Sequence, residues 1–135
     1  MAVKLLGSIF IPVSRLEASI EFYTNHLKLT CRGIEEWGDG QRGATLFVSN
    51  SPAGAAMITL AETKEPFMVS DRPWFNFSCS DATEMHRLLQ AHGCRVTELV
   101  SWDSPWNRHW MFDLYDPDGH PINLIEMIPI DAPVV

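Results

Sequence analysis

Cysteine is scarce in this chain of 135 residues, and so is positive charge. The three cysteines, Cys31, Cys79 and Cys94, are an odd number without Cys-x-x-Cys spacing. That excludes a disulfide framework and a cysteine-based zinc site, and it reads as reduced thiols in a cytosolic protein. Lys and Arg total 10 against 17 Asp and Glu, a net charge of −7. Nucleic-acid binding needs clustered Lys and Arg, so no nucleic-acid partner is expected. Long apolar runs are missing too. The opening Met1-Ala2-Val3-Lys4-Leu5-Leu6-Gly7 is too short for a signal peptide, and no stretch approaches a membrane span. A soluble, cytoplasmic protein without a membrane partner is the expectation.

Familiar catalytic patterns are also lacking. There is no Gly-x-Ser-x-Gly elbow, no Gly-rich phosphate loop or dinucleotide fingerprint, and no Cys with an evident His beside it. Glu35 and Glu36 are adjacent in a strand pattern, so their side chains point to opposite faces and cannot pair. What is present is an ordinary globular balance, 46% apolar and 20% charged, in a length that suits one compact domain over 1–135. Tryptophan is plentiful: there are five, more than a core of this size requires.

The chain reads as strands and helices in a fixed order. Leu5 to Val13 is a β-branched strand, and Ser14 with Glu17 forms a capping-box pattern. Leu16, Ile20, Tyr23 and Leu27 recur at helical spacing, which predicts a helix over 15–26. Lys28 stands where a C-cap Gly would be expected. Strands follow at 29–37, 42–49 and 56–62, with a turn at Gly38-Asp39-Gly40 and a loop at Ser51-Pro52-Ala53-Gly54. After a polar linker at 63–71 the pattern restarts. A strand at 74–79 leads to a helix capped by Ser80 or Asp81, with apolar positions Ala82, Met85, Leu88, Leu89 and His92, ended by Gly93. Strands at 94–102, 109–115 and 122–127 complete it.

The two halves match position for position. Ser14 and Ser80 stand at the same interval as Phe22 and Leu88, and Ile9-Phe10-Ile11 and Phe75-Asn76-Phe77 fall in step. The repeat is a βαβββ module, residues 4–62 and 72–128. A four-stranded sheet with one helix leaves its other face uncovered, so two such sheets must close on each other or on a partner chain. The fold class is α+β: two βαβββ modules in tandem, forming curved mixed sheets around a cleft.

Two stretches carry a resemblance. Asp116-Pro117-Asp118-Gly119-His120-Pro121-Ile122-Asn123-Leu124-Ile125-Glu126 resembles the "DPDGxxxEL" signature of the vicinal oxygen chelate superfamily, which includes glyoxalase I, bleomycin-resistance proteins and extradiol dioxygenases. The opening Ile9 to Tyr23 is similar to that family's entry strand and helix. In the family's metalloenzymes the first and last strands of each module supply the metal ligands. The resemblance puts those positions at Ser8, Trp74, Thr59 and Asn123, where His, Glu or Gln is usual. A divalent catalytic metal needs about three strong ligands. Neutral oxygens and an indole do not provide them, so no metal or other cofactor is expected.

Strand alternation gives the expected cleft lining: Ser8, Phe10 and Pro12; Trp74, Asn76 and Ser78; Met57, Thr59 and Ala61; Pro121, Asn123 and Ile125. Trp106, His109 and Trp110 join as ligand-binding candidates, with Trp102 near the same loop and Trp37 near a hairpin of the first module. A given Trp in a small sheet protein more often fills a core or a dimer interface than meets a ligand, and Trp74 stands apart because its position maps to the family's cleft. Arg108 could meet an anionic ligand, or pair with Asp103 or Asp113. The leading reading is a metal-independent protein that sequesters a small, partly aromatic drug or metabolite. The resemblance implies a homodimer, and the acidic charge favours a cationic ligand. The alternative is a lyase, isomerase or dioxygenase whose metal is held by shifted ligands, His109 with Glu126 or Glu62. No catalytic residue is assigned.

Overall fold

The computed structural model describes residues 1–48 and 57–131. The chain divides into two compact units, Met1–Met68 and Val69–Val135. The first contains β1 (Ser8–Val13), α1 (Leu16–His26), β2 (Leu29–Gly38), β3 (Gln41–Val48) and β4 (Met57–Glu62). Its sheet runs β1-β4-β3-β2, with β1 parallel to β4 and the other pairs antiparallel. The second contains β5 (Asn76–Ser78), α2 (Ala82–Ala91), β6 (Val100–Asp103), β7 (Asn107–Tyr115) and β8 (Pro121–Pro129). Its order is β5-β8-β7-β6, again with only the first pair parallel. Both are mixed sheets, and the two units repeat one βαβββ plan.

Alternation along the strands sorts each sheet into two faces. In the first unit Ile11, Val13, Ala44, Leu46, Ile58 and Leu60 are buried with Leu16 and Tyr23 of α1. In the second, Phe112, Leu114, Ile122 and Leu124 are buried with Ala82 and Leu89 of α2. The opposite face of each sheet bears no helix of its own unit, and it carries the residues discussed below.

Long-range contacts redraw several boundaries. β1 begins at Ser8, the first residue with a partner across the sheet, and Leu5 and Leu6 are exposed. β5 shrinks to three residues because pairing starts at Asn76, three residues after Pro73, a residue with no N–H to add to a ladder. Trp74 therefore precedes the strand that was expected to contain it. The strand expected over 94–102 begins only at Val100. Upstream, the Thr97 hydroxyl accepts the Asp113 N–H at 2.7 Å, leaving Val96↔Leu114 as an isolated bridge. On α2, Leu88 faces outward and His86 turns inward, its ring 4.9 Å from Phe112 and its Nε2 2.9 Å from the Thr97 carbonyl oxygen. The expected 51–54 loop, Ser49 and Ala56 lie outside the described residues.

Helix starts differ most from the local signal. The N-cap of α1 is Arg15, which makes no side-chain cap bond, and the Leu16 N–H instead donates to Glu62 Oε2 at 2.8 Å. Glu17 pairs with Arg42. In α2 the Asp81 side chain accepts from the Glu84 N–H at 3.1 Å, and the Ala82 N–H donates to Glu126 Oε1 at 3.1 Å. Each helix is thus held by the carboxylate near the end of the last strand of its own unit. Anionic oxygens at a helix N-terminus satisfy otherwise open N–H groups and oppose the helix dipole. At the other end of α1, Lys28 itself takes the left-handed conformation, φ 56°, that a Gly would adopt more cheaply. Asp39 and Gly40 turn with φ of 53° and 75°, as a tight two-residue hairpin requires.

Candidate functional site

The helix-free face of the first unit centres on β1 and β4. Phe10 pairs in register with Thr59, and Ser8 with Met57. Ser8 Oγ and Thr59 Oγ1 stand 2.5 Å apart, and Ser8 Oγ donates to the Met57 carbonyl at 3.3 Å. Thr45, across from Thr59 on β3, extends this chain of hydroxyls toward Glu35, whose Oε2 accepts from Thr45 at 3.4 Å. Phe10 and Trp37 border it, with ring centroids 6.4 Å apart. Trp37 lies directly on Gly43, where a Cβ would collide with the indole ring and with the Leu60 carbonyl. Only glycine lets the ring settle there. Ser8, Phe10 and Thr59 are therefore brought together.

The second unit carries a further candidate site. A depression of about 340 Å³ opens on its helix-free face, floored by Met111 and Ile125 and walled by Trp74 and Trp102, with Asn76 and Asn123 supplying polar groups. Asn76, Asn123 and Asp113 occupy one register row across β5, β8 and β7. Asn123 is buried. Its Nδ2 donates to Asp113 Oδ1 at 2.9 Å and approaches the Phe112 carbonyl at 3.4 Å. With the amide nitrogen so engaged, Oδ1 is the group left to accept from a ligand. Trp74 is 81% exposed, so one ring face is open to a stacking partner. Trp102 is backed by His109, stacked at 3.8 Å and 10°, whose Nδ1 lies 3.4 Å from the Trp102 carbonyl.

Two of the sequence-derived candidates fall elsewhere. Trp110 pairs with Ser101 and Glu126, one residue out of phase with His109, and so projects on the face that carries α2. Adjacent strand residues cannot both face one pocket. Trp106 is exposed in the β6–β7 connection and does not line the depression. Conversely, Met111 lines the depression with Trp102, which the sequence had placed only near the neighbouring loop, and Asp113 stands beside it as the register neighbour and acceptor of Asn123. Counting outward from the Asp116–His120 turn would have paired Asp113 with Asn123. Arg108 is held by Asp103, at 3.0 and 3.2 Å, a pairing that draws the Asp103 carboxyl below its usual range.

The donors at the positions the resemblance implies do not fit a divalent metal. Ser8 and Thr59 hydrogen-bond to one another, Asn123 turns its nitrogen to Asp113, and Trp74 has no ligating lone pair. The shifted set fails on geometry. Glu126 shares its face with Trp110 and is bound to the Ala82 N–H, on the opposite side of the sheet from His109. Glu62 is occupied by the Leu16 N–H and by Arg42 at 2.7 Å, and Arg42 holds its carboxyl below the ordinary range. Among the described residues no group of three or more His, Cys, Asp or Glu is placed to hold a metal ion. Burial pushes the Cys79 and Cys94 thiols up, away from the reactive thiolate. The depression itself presents indole faces and amide groups. No helix among the described residues is long and apolar enough to cross a membrane.

Comparison with known proteins agrees with this architecture. The family model described as Glyoxalase/Bleomycin resistance protein/Dioxygenase superfamily matches residues 5–124. No curated protein matches the sequence. Among solved structures, the chain is similar to TnmS3, an antibiotic binding protein from Streptomyces sp. CB03234, at 22% identity and a TM-score of 0.71, over 94% of this chain and 98% of that one. It is also similar to a glyoxalase/bleomycin resistance protein/dioxygenase superfamily member from Sphaerobacter thermophilus DSM 20745, at 20% identity and a TM-score of 0.73, over 92% and 98%. At these identities the likeness is one of fold. The chain belongs to the Glyoxalase/Bleomycin resistance protein/Dioxygenase superfamily.

Proposed function

We propose that this member of the superfamily binds a small, partly aromatic drug or metabolite without a metal, and sequesters it rather than transforming it. One observation carries the reading: Asn123, where a metal-binding member would place a carboxylate, is tied to Asp113 and lines an aromatic depression. Trp74 and Trp102 offer stacking faces, each aromatic contact worth roughly 0.5–1.5 kcal/mol. The antibiotic-binding description of TnmS3 supports a holding role on this fold. The reading extends to a cytoplasmic homodimer, whose assembly state light scattering would measure.

Titration with a panel of planar aromatic antibiotics, followed by tryptophan fluorescence, tests the proposal. Saturable quenching is expected, weakened about tenfold by Trp74→Ala and unaffected by EDTA. Elemental analysis of protein purified without chelator should find no stoichiometric metal. A full equivalent of Fe, Mn, Ni or Zn whose removal abolishes ligand binding would overturn the metal-independent reading. Failure of every panel member to bind would overturn the binding role.

A further inference from the structure

The polar row across the second sheet is asymmetric in charge. Asn76 and Asn123 are neutral amides, and Asp113, next in register, brings a carboxylate. Its Oδ1 takes the Asn123 amide. Among the described residues it has no ion-pair partner. Arg108, on the same strand, is held by Asp103. Arg95 lies over the Tyr115 ring, 3.9 Å from its centroid. His109, four residues back along the strand on the same face, is stacked on Trp102. Apolar surface flanks the row, with Trp74 and Phe75 on one side and Met111, Ile125 and Trp102 on the other.

A ligand seated over this row strips water from Asp113 and Asn123. A purely apolar or acceptor-only molecule would leave the carboxylate oxygen and the amide oxygen without donors, at a cost larger than the stacking gain. A cation carrying N–H groups replaces the lost water with charge-assisted hydrogen bonds. The chain's net charge of −7 also favours the approach of cations. We infer that Asp113, at the edge of this pocket beside the lining residue Asn123, is its specificity-determining residue, and that the ligand of the binding role proposed above is a planar aromatic cation. Its N–H donors meet Asp113 and Asn123 while its ring system lies against Trp74 and Trp102. The inference rests on that binding role and names the chemical class it takes.

Three tricyclic probes of one shape separate the possibilities: proflavine as the cation, acridone as the neutral ring, and acridine-9-carboxylate as the anion. Binding is followed by tryptophan quenching and checked by equilibrium dialysis. Proflavine should bind tightest and the carboxylate weakest. Asp113→Asn should weaken proflavine about tenfold relative to acridone, with circular dichroism reporting an intact fold. Independently of any variant, added KCl should weaken proflavine and leave acridone unchanged. If acridone binds the natural protein as tightly as proflavine, or if Asp113→Asn leaves their ratio unchanged, the charge assignment is wrong and the binding role stands. If none of the three binds, both fall.

Discussion

The Glu126 carboxylate lies 3.1 Å from the Ala82 N–H, joining the last strand of the second unit to the first turn of its helix. Glu62 does the same for Leu16 at 2.8 Å in the first unit. Two residues that the sequence offered as reserve metal ligands each hold the first turn of a helix.

Glu126→Ala should therefore destabilise the protein by about 1 kcal/mol, the usual cost of losing a side-chain acceptor at a helix start. Urea denaturation monitored by circular dichroism reads it. Glu126→Gln keeps an oxygen acceptor and should recover part of the loss. Equal stability of the Ala variant and the natural protein would show that the hydrogen bond contributes nothing.

Acid should act through Glu62. Its carboxyl is held below the ordinary 4.5 first by Arg42 and then by the Leu16 N–H. A pKa depressed in the folded state gives stabilisation that is complete above the unfolded value and is lost as pH falls through the folded one. The stability advantage over Glu62→Gln should be constant near neutrality, begin to shrink as pH drops past 4.5, and vanish below the folded pKa. Denaturation midpoints of both proteins across that range would give the curve. An advantage that grows on acidification would reverse the sign.

Gly43→Ala should cost about 1–3 kcal/mol, the range for forcing atoms into filled space. Its Cβ meets both the Trp37 ring and the Leu60 carbonyl oxygen. In a double-mutant cycle, Trp37→Ala should relieve part of the cost and leave the part due to backbone. Complete relief would mean that the carbonyl moves freely.

Much of this was legible in the chain itself. The alternation of Ile9-Phe10-Ile11 and of Ile122 to Ile125, and the restart of the pattern after residue 71, contain the two-unit plan. Local patterns misled where distant groups compete. Ser14 and Glu17 look like a capping box, yet Glu62 reaches the Leu16 N–H and Arg42 engages Glu17. Trp110 was set beside His109 as a pocket residue, although the period-two rule allows only one of them. The short β5 was invisible, because where a strand starts depends on which partner residues stand opposite it. Asp113 was within reach, since the Asp116–His120 turn sets the register that pairs it with Asn123.

Each of the two carboxylate ties is local to one unit. Glu62 and Leu16 are both in the first unit, and Glu126 and Ala82 both in the second. Loosening one tie removes the acceptor at that helix start, and among the described residues no carboxylate is shared between α1 and α2. Losing Glu126 should raise amide exchange first in the opening turn of α2, and losing Glu62 first in that of α1.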